Sequence, residues 1–314
     1  MSSVLASLGV KCYNNRQYIA QAVESALAQS YRPLEVVISD DGSTDGSWEL
    51  IKSKVRAERR GEVTIVLNRN ERNLGNCGNW DKICELSHGE WIFKFDGDDI
   101  SDVTRVEKVM NRIRNSGLEN CLVASCGAKL IDKRGEVLGR RGAPSLRNVV
   151  GAMMAFHRDC YSKFEKVEFP RAMDDVVWAN RARMLGGSEV LLDESLVDYR
   201  LGTGVSGSFA TTRAVIRRCN ATALDEVAQA RKDAKHIGKY DQWKDSFDER
   251  DAYTRHMDKL VNGGSLLEKC RAISFCSKHH SISGCAFLYL NLIPGRMGDW
   301  LIEVLSGIKR SFFR

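Results

Sequence analysis

The chain of 314 residues holds only four prolines, far below an average near ~5%. This excludes a proline-rich stalk or linker and leaves room for long helices. Its ten cysteines contain no C-x-x-C pair and follow no regular spacing. Neither a disulfide framework nor a cysteine zinc site is indicated, and reduced thiols in a cytoplasmic protein are expected. No basic stretch followed by an apolar one opens the chain, so no secretory leader is expected. The longest apolar run, near Cys285–Pro294, falls well short of the ~18 residues a membrane-crossing helix needs. Internal repeats and low-complexity tracts are also missing.

What is there is an ordinary globular composition, 43% hydrophobic and 28% charged. That excludes disorder as the main state and suffices for one large or two ordinary domains. Lys and Arg number 47 against 41 Asp and Glu, a net charge of +6. The excess suits anionic ligands or acidic lipid headgroups, and without a basic-aromatic groove no nucleic-acid partner is expected.

Hydrophobic periodicity alternates between strand and helix. Ala6–Val10 reads as a buried strand, Arg16–Ser30 as a helix with Asn15 at its N-cap, and Leu34–Ser39 as a strand that starts after Pro33. A right-handed crossover makes those two strands parallel. A second helix around Trp48–Val55, a strand at Val63–Leu67, a helix at Trp80–Leu86 and a strand at Trp91–Phe95 continue the pattern of an α/β sheet. Cys121–Ile131 reads as a strand pair, Val149–Phe156 as an apolar strand or wall, Val176–Leu185 as a helix, and Leu191-Leu192 with Val197–Arg200 as bracketing a further short element. A glycine-rich segment, Gly202–Ser208, follows, and then Thr212–Leu260 is charged and proline-free, as one or two helices would be. Near the end, Trp300, Leu301, Val304, Leu305 and Ile308 fall at helical spacing beside Lys309, Arg310 and Arg314. That tail is either a helix packed on its own domain or a segment lying in a membrane interface.

Two acidic clusters, Asp40-Asp41 and Asp96-Gly97-Asp98-Asp99, each end an apolar strand. In an open α/β sheet the carboxyl ends of the strands converge on the ligand crevice. Carboxylates gathered there raise one another's pKa unless a cation neutralises them, and their hard oxygens suit Mg²⁺ or Mn²⁺ shared with a diphosphate. A metal–nucleotide site is therefore expected. Asp174-Asp175 taken alone reads as an acidic pair at a helix N-terminus.

Tyr13-Asn14, the helix with Glu24-Ser25-Ala26-Leu27, and Val37-Ile38-Ser39-Asp40-Asp41-Gly42-Ser43 together resemble the start of family 2 glycosyltransferases with the GT-A fold. Asn73-Leu74-Gly75, His88-Gly89-Glu90-Trp91 and Phe95-Asp96-Gly97-Asp98-Asp99 follow in the family's order, and Asp174-Asp175 with Trp178 and Arg181 is similar to its later acidic motif. The resemblance spans residues 4 to 207. It implies a GT-A domain over residues 1–210, with residues 211–314 a helical C-terminal region associated with membrane or acceptor. It also implies an inverting transfer of sugar from a nucleotide-diphosphate donor, most often UDP-linked, to a hydroxyl of a glycan or lipid-linked acceptor. Such acceptors belong to surface polysaccharide synthesis, O-antigen included, at the inner face of the plasma membrane.

Carried over by position, the resemblance makes Tyr13, Asp40, Asp41, Asp96 and Asp98 donor-binding residues. It makes Asp99, with Asp98, the ligand of a divalent cation, and Asp175 the catalytic base. Trp178 is expected to pack and Arg181 to orient an acid. The chain departs from the family at Lys11-Cys12, where Pro-Thr is common, and at Leu201-Gly202-Thr203, where a His often follows Tyr-Arg. His157 is a candidate for the acceptor side, although an ordinary histidine fits it as well, and Arg140-Arg141 could meet an acceptor phosphate. His279-His280 has no acid or cysteine at metal spacing. The rival readings are a nucleotidyltransferase, which would open with a Gly-rich basic phosphate loop that Lys11-Cys12-Tyr13-Asn14 does not form, and a catalytically inactive nucleotide-sugar-binding module.

Overall fold

In the computed structural model, which describes residues 4–57, 63–146, 148–169, 171–203, 212–262 and 264–276, strand β1 (Ala6–Cys12) is buried at every position. A parallel strand covered on both faces has this character. It pairs in parallel with β2 (Leu34–Asp40) on one side and β4 (Trp91–Asp96) on the other, and β3 (Thr64–Arg69) lies outside β2. The crossovers are α1 (Ile19–Leu27), α2 (Ser47–Ala57) and α3 (Gly75–Leu86).

Helices cover both faces of this sheet. Ile19, Ala22, Val23, Ala26 and Leu27 of α1, the residues that set the helical period in the sequence, pack with Ile51 of α2 on one face. Trp80, Ile83 and Cys84 of α3 pack on the other. The fit over β1 is close enough to demand Gly9, because a Cβ there would stand 2.4 Å from Ile83 Cγ2.

After β4 come β5 (Ile100–Ser101) and α4 (Arg105–Arg114). The second half of the sheet follows, with β6 (Cys121–Ile131), β7 (Val137–Arg141) and β8 (Met154–His157). Then come α5 (Asp159–Ser162), α6 (Asp174–Met184) and β9 (Ser188–Arg200). Among the described residues the strand order is β3-β2-β1-β4-β8-β6-β9-β5, with β7 paired to β6. Strand β8 is antiparallel to both neighbours, β4 and β6. Its beginning therefore lies at the same edge as the ends of β1, β2, β4 and β9. All the acidic motifs reach that edge.

Three local expectations are corrected. Cys121–Ile131 is one strand, not a pair, and 188–200 forms one long strand rather than a short element. The two stabilise each other as a parallel ladder over most of their length. Helix α1 begins at Ile19 without a side-chain cap. Asn14 sits at φ 50°, and the Asn15 carbonyl accepts the Tyr18 and Ile19 N–H groups, so a turn separates β1 from the helix and Asn15 caps through its backbone.

The C-terminal helices are α7 (Thr212–His236), α8 (Tyr240–Asn262) and α9 (Leu266–Cys276). Val227, Ala230 and Ala234 of α7 pack with Phe247 of α8, Met184 of α6 and Phe164. No helix among the described residues is long and apolar enough to cross a membrane. Cys12, Cys77, Cys84, Cys121, Cys126, Cys160, Cys219 and Cys270 are free thiols. The amphipathic tail and His279-His280 lie outside the described residues.

Candidate active site

A cavity of about 850 Å³ opens where the strand ends meet. Its lining brings Tyr13, Asp41, Asp96, Asp98, Asp99 and Asp175 together, along with Asp174. Asp40 and His157 are not part of the lining. The Asp40 side chain is fully buried, accepts the Ser43 N–H at 3.1 Å and faces Arg69 at 3.4 Å. It thus braces the turn that presents its neighbour. His157 packs edge-on to Trp91.

Asp41 is held by three donors: the Asn70 side chain and Leu74 N–H at 2.8 Å on one oxygen, and Gly75 N–H at 3.0 Å on the other. An ionised carboxylate has about four lone-pair sites, which leaves one for a ligand. Gly75 takes φ +80° to close that turn, and Asn73 Oδ1 accepts the same Gly75 N–H. The Asn73-Leu74-Gly75 motif is thus the clamp on Asp41. Tyr13 is 47% exposed, an aromatic face at the mouth.

Strand β9 locks the acidic turn after β4. The Arg200 N–H donates to Asp99 Oδ1 at 2.8 Å, and its guanidinium donates to the Asp98 carbonyl at 2.9 Å while lying over the Tyr18 ring. Thr203 Oγ1 donates to Asp98 Oδ2 at 2.7 Å. Burial, then the negative charges of Asp98 and Asp96, push the Asp99 carboxyl well above its usual range. Burial and Asp96 also raise Asp98.

Two lysines missed as site residues neutralise the other acids. Lys11 Nζ lies 2.6 Å from Asp174 Oδ2, 3.1 Å from Asp96 Oδ1 and 2.5 Å from Asn76 Oδ1. Lys94 Nζ lies 3.3 Å from Asp174 Oδ2 and 3.7 Å from Asp96 Oδ1. Burial alone would raise Asp96, but Lys11 and Lys94 outweigh it and pull the carboxyl down to about 2. Asn76 Nδ2 donates to Asp174 Oδ1 at 3.0 Å, so both Asp174 oxygens are engaged. Asp175 is different: among the described residues its carboxylate accepts only backbone N–H groups, from Gly151 at 3.1 Å and Val176 at 2.9 Å.

Helix α7 fixes the loop that delivers these acids. Asp225 takes Arg171 in a two-pronged pair at 3.1 and 2.9 Å, Gln229 accepts the Glu168 N–H at 3.0 Å, and Asp233 holds buried Arg181 at 2.8 and 3.1 Å. Arg181 stacks on Trp178 and Phe164. The acid it orients is therefore Asp233 on α7, not Asp175. Ala221 and Thr222 of the same helix reach the cavity wall.

Residues 7–159 match the family model described as Glycosyl transferase family 2. This segment belongs to that family. A stretch of 222 residues is 25% identical to an uncharacterized glycosyltransferase of Haemophilus influenzae, covering 63% of this chain and 65% of that protein. Over 102 residues the chain is also 32% identical to the Escherichia coli UDP-Glc:alpha-D-GlcNAc-diphosphoundecaprenol beta-1,3-glucosyltransferase WfaP, covering 32% of this chain and 38% of that protein. The chain thus spans less than two thirds of these relatives. Two solved structures share the fold. S. aureus TarS in complex with UDP-GlcNAc has a TM-score of 0.57 at 14% identity, over 98% of this chain and 91% of that one. The Pyrobaculum calidifontis mannosyltransferase PcManGT, in complex with GDP-Man and Mn²⁺, has a TM-score of 0.57 at 16% identity, over 98% and 85%. The family 2 domain accordingly has the GT-A fold, with a mixed sheet and helices on both faces.

The family 2 domain's acids suit a cation that arrives with a diphosphate. Among the described residues no group of three or more His, Cys, Asp or Glu side chains forms a cage. Asp99 nevertheless keeps one buried oxygen with no hydrogen-bond partner, and Asp98 lies beside it. One or two carboxylates completed by phosphate oxygens and water is the usual protein share of a Mg²⁺ or Mn²⁺ site.

Proposed function

We propose that this chain is an inverting glycosyltransferase that moves a sugar from a nucleotide-diphosphate donor, a UDP-sugar, to a hydroxyl of a glycan or lipid-linked acceptor. The carrying observation is the single cavity in which Asp41 and Tyr13, Asp98 and Asp99, and an incompletely hydrogen-bonded Asp175 meet. The E. coli relative's name joins a UDP-sugar to a diphosphoundecaprenol-linked acceptor, and that pairing supports both substrates. A lipid-linked acceptor puts the enzyme at the inner face of the plasma membrane.

In this reading Tyr13 offers its ring to the base, and Asp41 accepts an N–H of the base with its remaining lone pair. Asp98 accepts a ribose hydroxyl, and Asp99 and Asp98 hold the divalent cation. When bound, that cation supplies Lewis-acid neutralisation of the departing diphosphate. Asp96 keeps about 30% of its side chain exposed and can accept a sugar hydroxyl there. Asp175 takes the proton from the acceptor hydroxyl as it attacks the anomeric carbon, and one displacement inverts that centre.

General-base removal commonly costs ~10²- to 10⁴-fold. Turnover of a UDP-sugar by Asp175→Asn, followed as release of UDP, should fall by at least about 100-fold with the nucleotide still binding. Unchanged turnover removes Asp175 from the role.

A further inference from the structure

Lys11 and Lys94 sit buried inside two adjacent, mostly apolar parallel strands, a placement that costs solvation and has to be offset by charge. Near the strand ends Lys11 lies opposite Asp96 and Gly9 opposite Lys94, so the two lysines are two register positions apart and share one face of the sheet. Their two positive charges meet three carboxylates, Asp96, Asp174 and Asp175. Asp174 is saturated on both oxygens, by the lysines on one and by Asn76 and the Asp175 N–H on the other. Of these three, Asp175 is the one with no ammonium ion pair among the described residues.

Lys94 reaches this position through a gap in the chain's side chains. A Cβ on Gly151 would stand 2.0 Å from Lys94 Nζ, and the N–H of the same Gly151 donates to Asp175 Oδ2 at 3.1 Å. The ammonium and the group that orients Asp175 are thus seated against each other. We propose that Lys94, seconded by Lys11, is a positioning residue that keeps Asp175 ionised and aimed into the cavity. The inference rests on Asp175 as the proposed base and assigns what governs its charge.

The groups around Asp175 pull in opposite directions. Burial raises its pKa and Asp174 adds to that, whereas Lys94 and Lys11 lower it, with a net rise remaining. From α7, Glu226 faces the same acid; burial pushes Glu226 up to about 7, against the pull of Arg250 on α8, and Asp175 adds to the rise. Arg171 is committed to Asp225. Asp96 on β4 is matched by the lysines. Deleting Lys94 leaves a carboxylate excess that only a proton can relieve; Lys11 still faces Asp96 and Asp174, so Asp175, whose carboxyl burial already raises, is where that proton goes.

The test needs no substrate. The full chain, labelled with ¹³C at aspartate Cγ, is titrated by NMR, with Asp175→Asn identifying the Asp175 signal. In Lys94→Met the Asp175 midpoint should rise by about one pH unit or more, a tenfold gain in proton affinity. Lys11→Met, whose lysine is the more exposed of the two, should move it the same way by less, and serves if Lys94→Met does not fold. A midpoint unmoved in a folded variant, judged by circular dichroism, overturns the proposal and leaves the lysines as packing. The base assignment is decided separately by Asp175→Asn turnover: an active Asp175→Asn retires the base, while an unmoved midpoint retires the lysine link.

Discussion

Asp81 on α3 is buried with one oxygen unpartnered, and burial pushes its carboxyl up to about 6 against the pull of Arg181 and Lys166. The folded chain therefore holds this proton more tightly than the unfolded one. The stability linked to it is complete below the ordinary aspartate value near ~4 and is lost as pH rises through about 6. Melting temperature should fall between pH 5 and pH 7.5 in the parent chain and fall less in Asp81→Asn; equal slopes by differential scanning fluorimetry refute the assignment. At this scale, sequence reading located Tyr13, Asp41, Asp96, Asp98, Asp99 and Asp175 on the cavity wall because their motifs end strands or open a helix. It did not separate Asp40 from Asp41, since adjacent residues at a strand end turn opposite ways and only the fold says which face is open. Lys11 was visible as a departure from the family and Lys94 as a cation inside Trp91–Phe95. A lysine amid apolar strand residues is a signal for a buried counter-charge, but its partner, Asp174, is remote in sequence.

Helix α7 carries its message in polar residues. Asp225, Gln229 and Asp233 recur every four positions and so share one face, yet that face is buried against the loop before α6. In the sequence it reads as solvated charge, because hydrophobic periodicity does not register a stripe built from ion pairs. The Asp233–Arg181 pair is the anchor. Removing one member of a buried pair typically costs about 3–5 kcal/mol, so Asp233→Ala should lose stability on that scale in urea melts. A loss below about 1 kcal/mol would show that water reaches Arg181. Other motif pieces proved to be supports: Gly89 leaves no room for a side chain, since a Cβ would lie 2.4 Å from the Ser7 nitrogen, and His88 hydrogen-bonds Glu35.

For the whole molecule, the α/β class and the parallel opening strands were legible from periodicity, and a helical stretch over Thr212–Leu260 from its charge and lack of proline, though not its division into two helices. The long-range β6–β9 ladder was not, because pairing between distant strands leaves no local pattern. Binding to the folded state alone raises the melting temperature by mass action. UDP with Mn²⁺ should stabilise the chain more than UDP alone, and Asp99→Asn should remove the metal-dependent part while keeping the rest. A shift from UDP that ignores Mn²⁺ in the parent chain counts against Asp98 and Asp99 as cation ligands.

Strand β8 runs against its neighbours, so Gly151 meets Asp175 where the chain enters the sheet, whereas Asp41 and Asp99 stand where it leaves. Most of the cavity lining is thus written in separate stretches of sequence, 11–15 with 41–99 on one side and 149–175 on the other, with 199–203 and 221–222 completing it. If the proposed donor and acceptor roles hold, recombination or drift in the second stretch can retune what receives the sugar while the first keeps its hold on the nucleotide, so the scaffold divides readily into enzymes that share a donor and differ in acceptor.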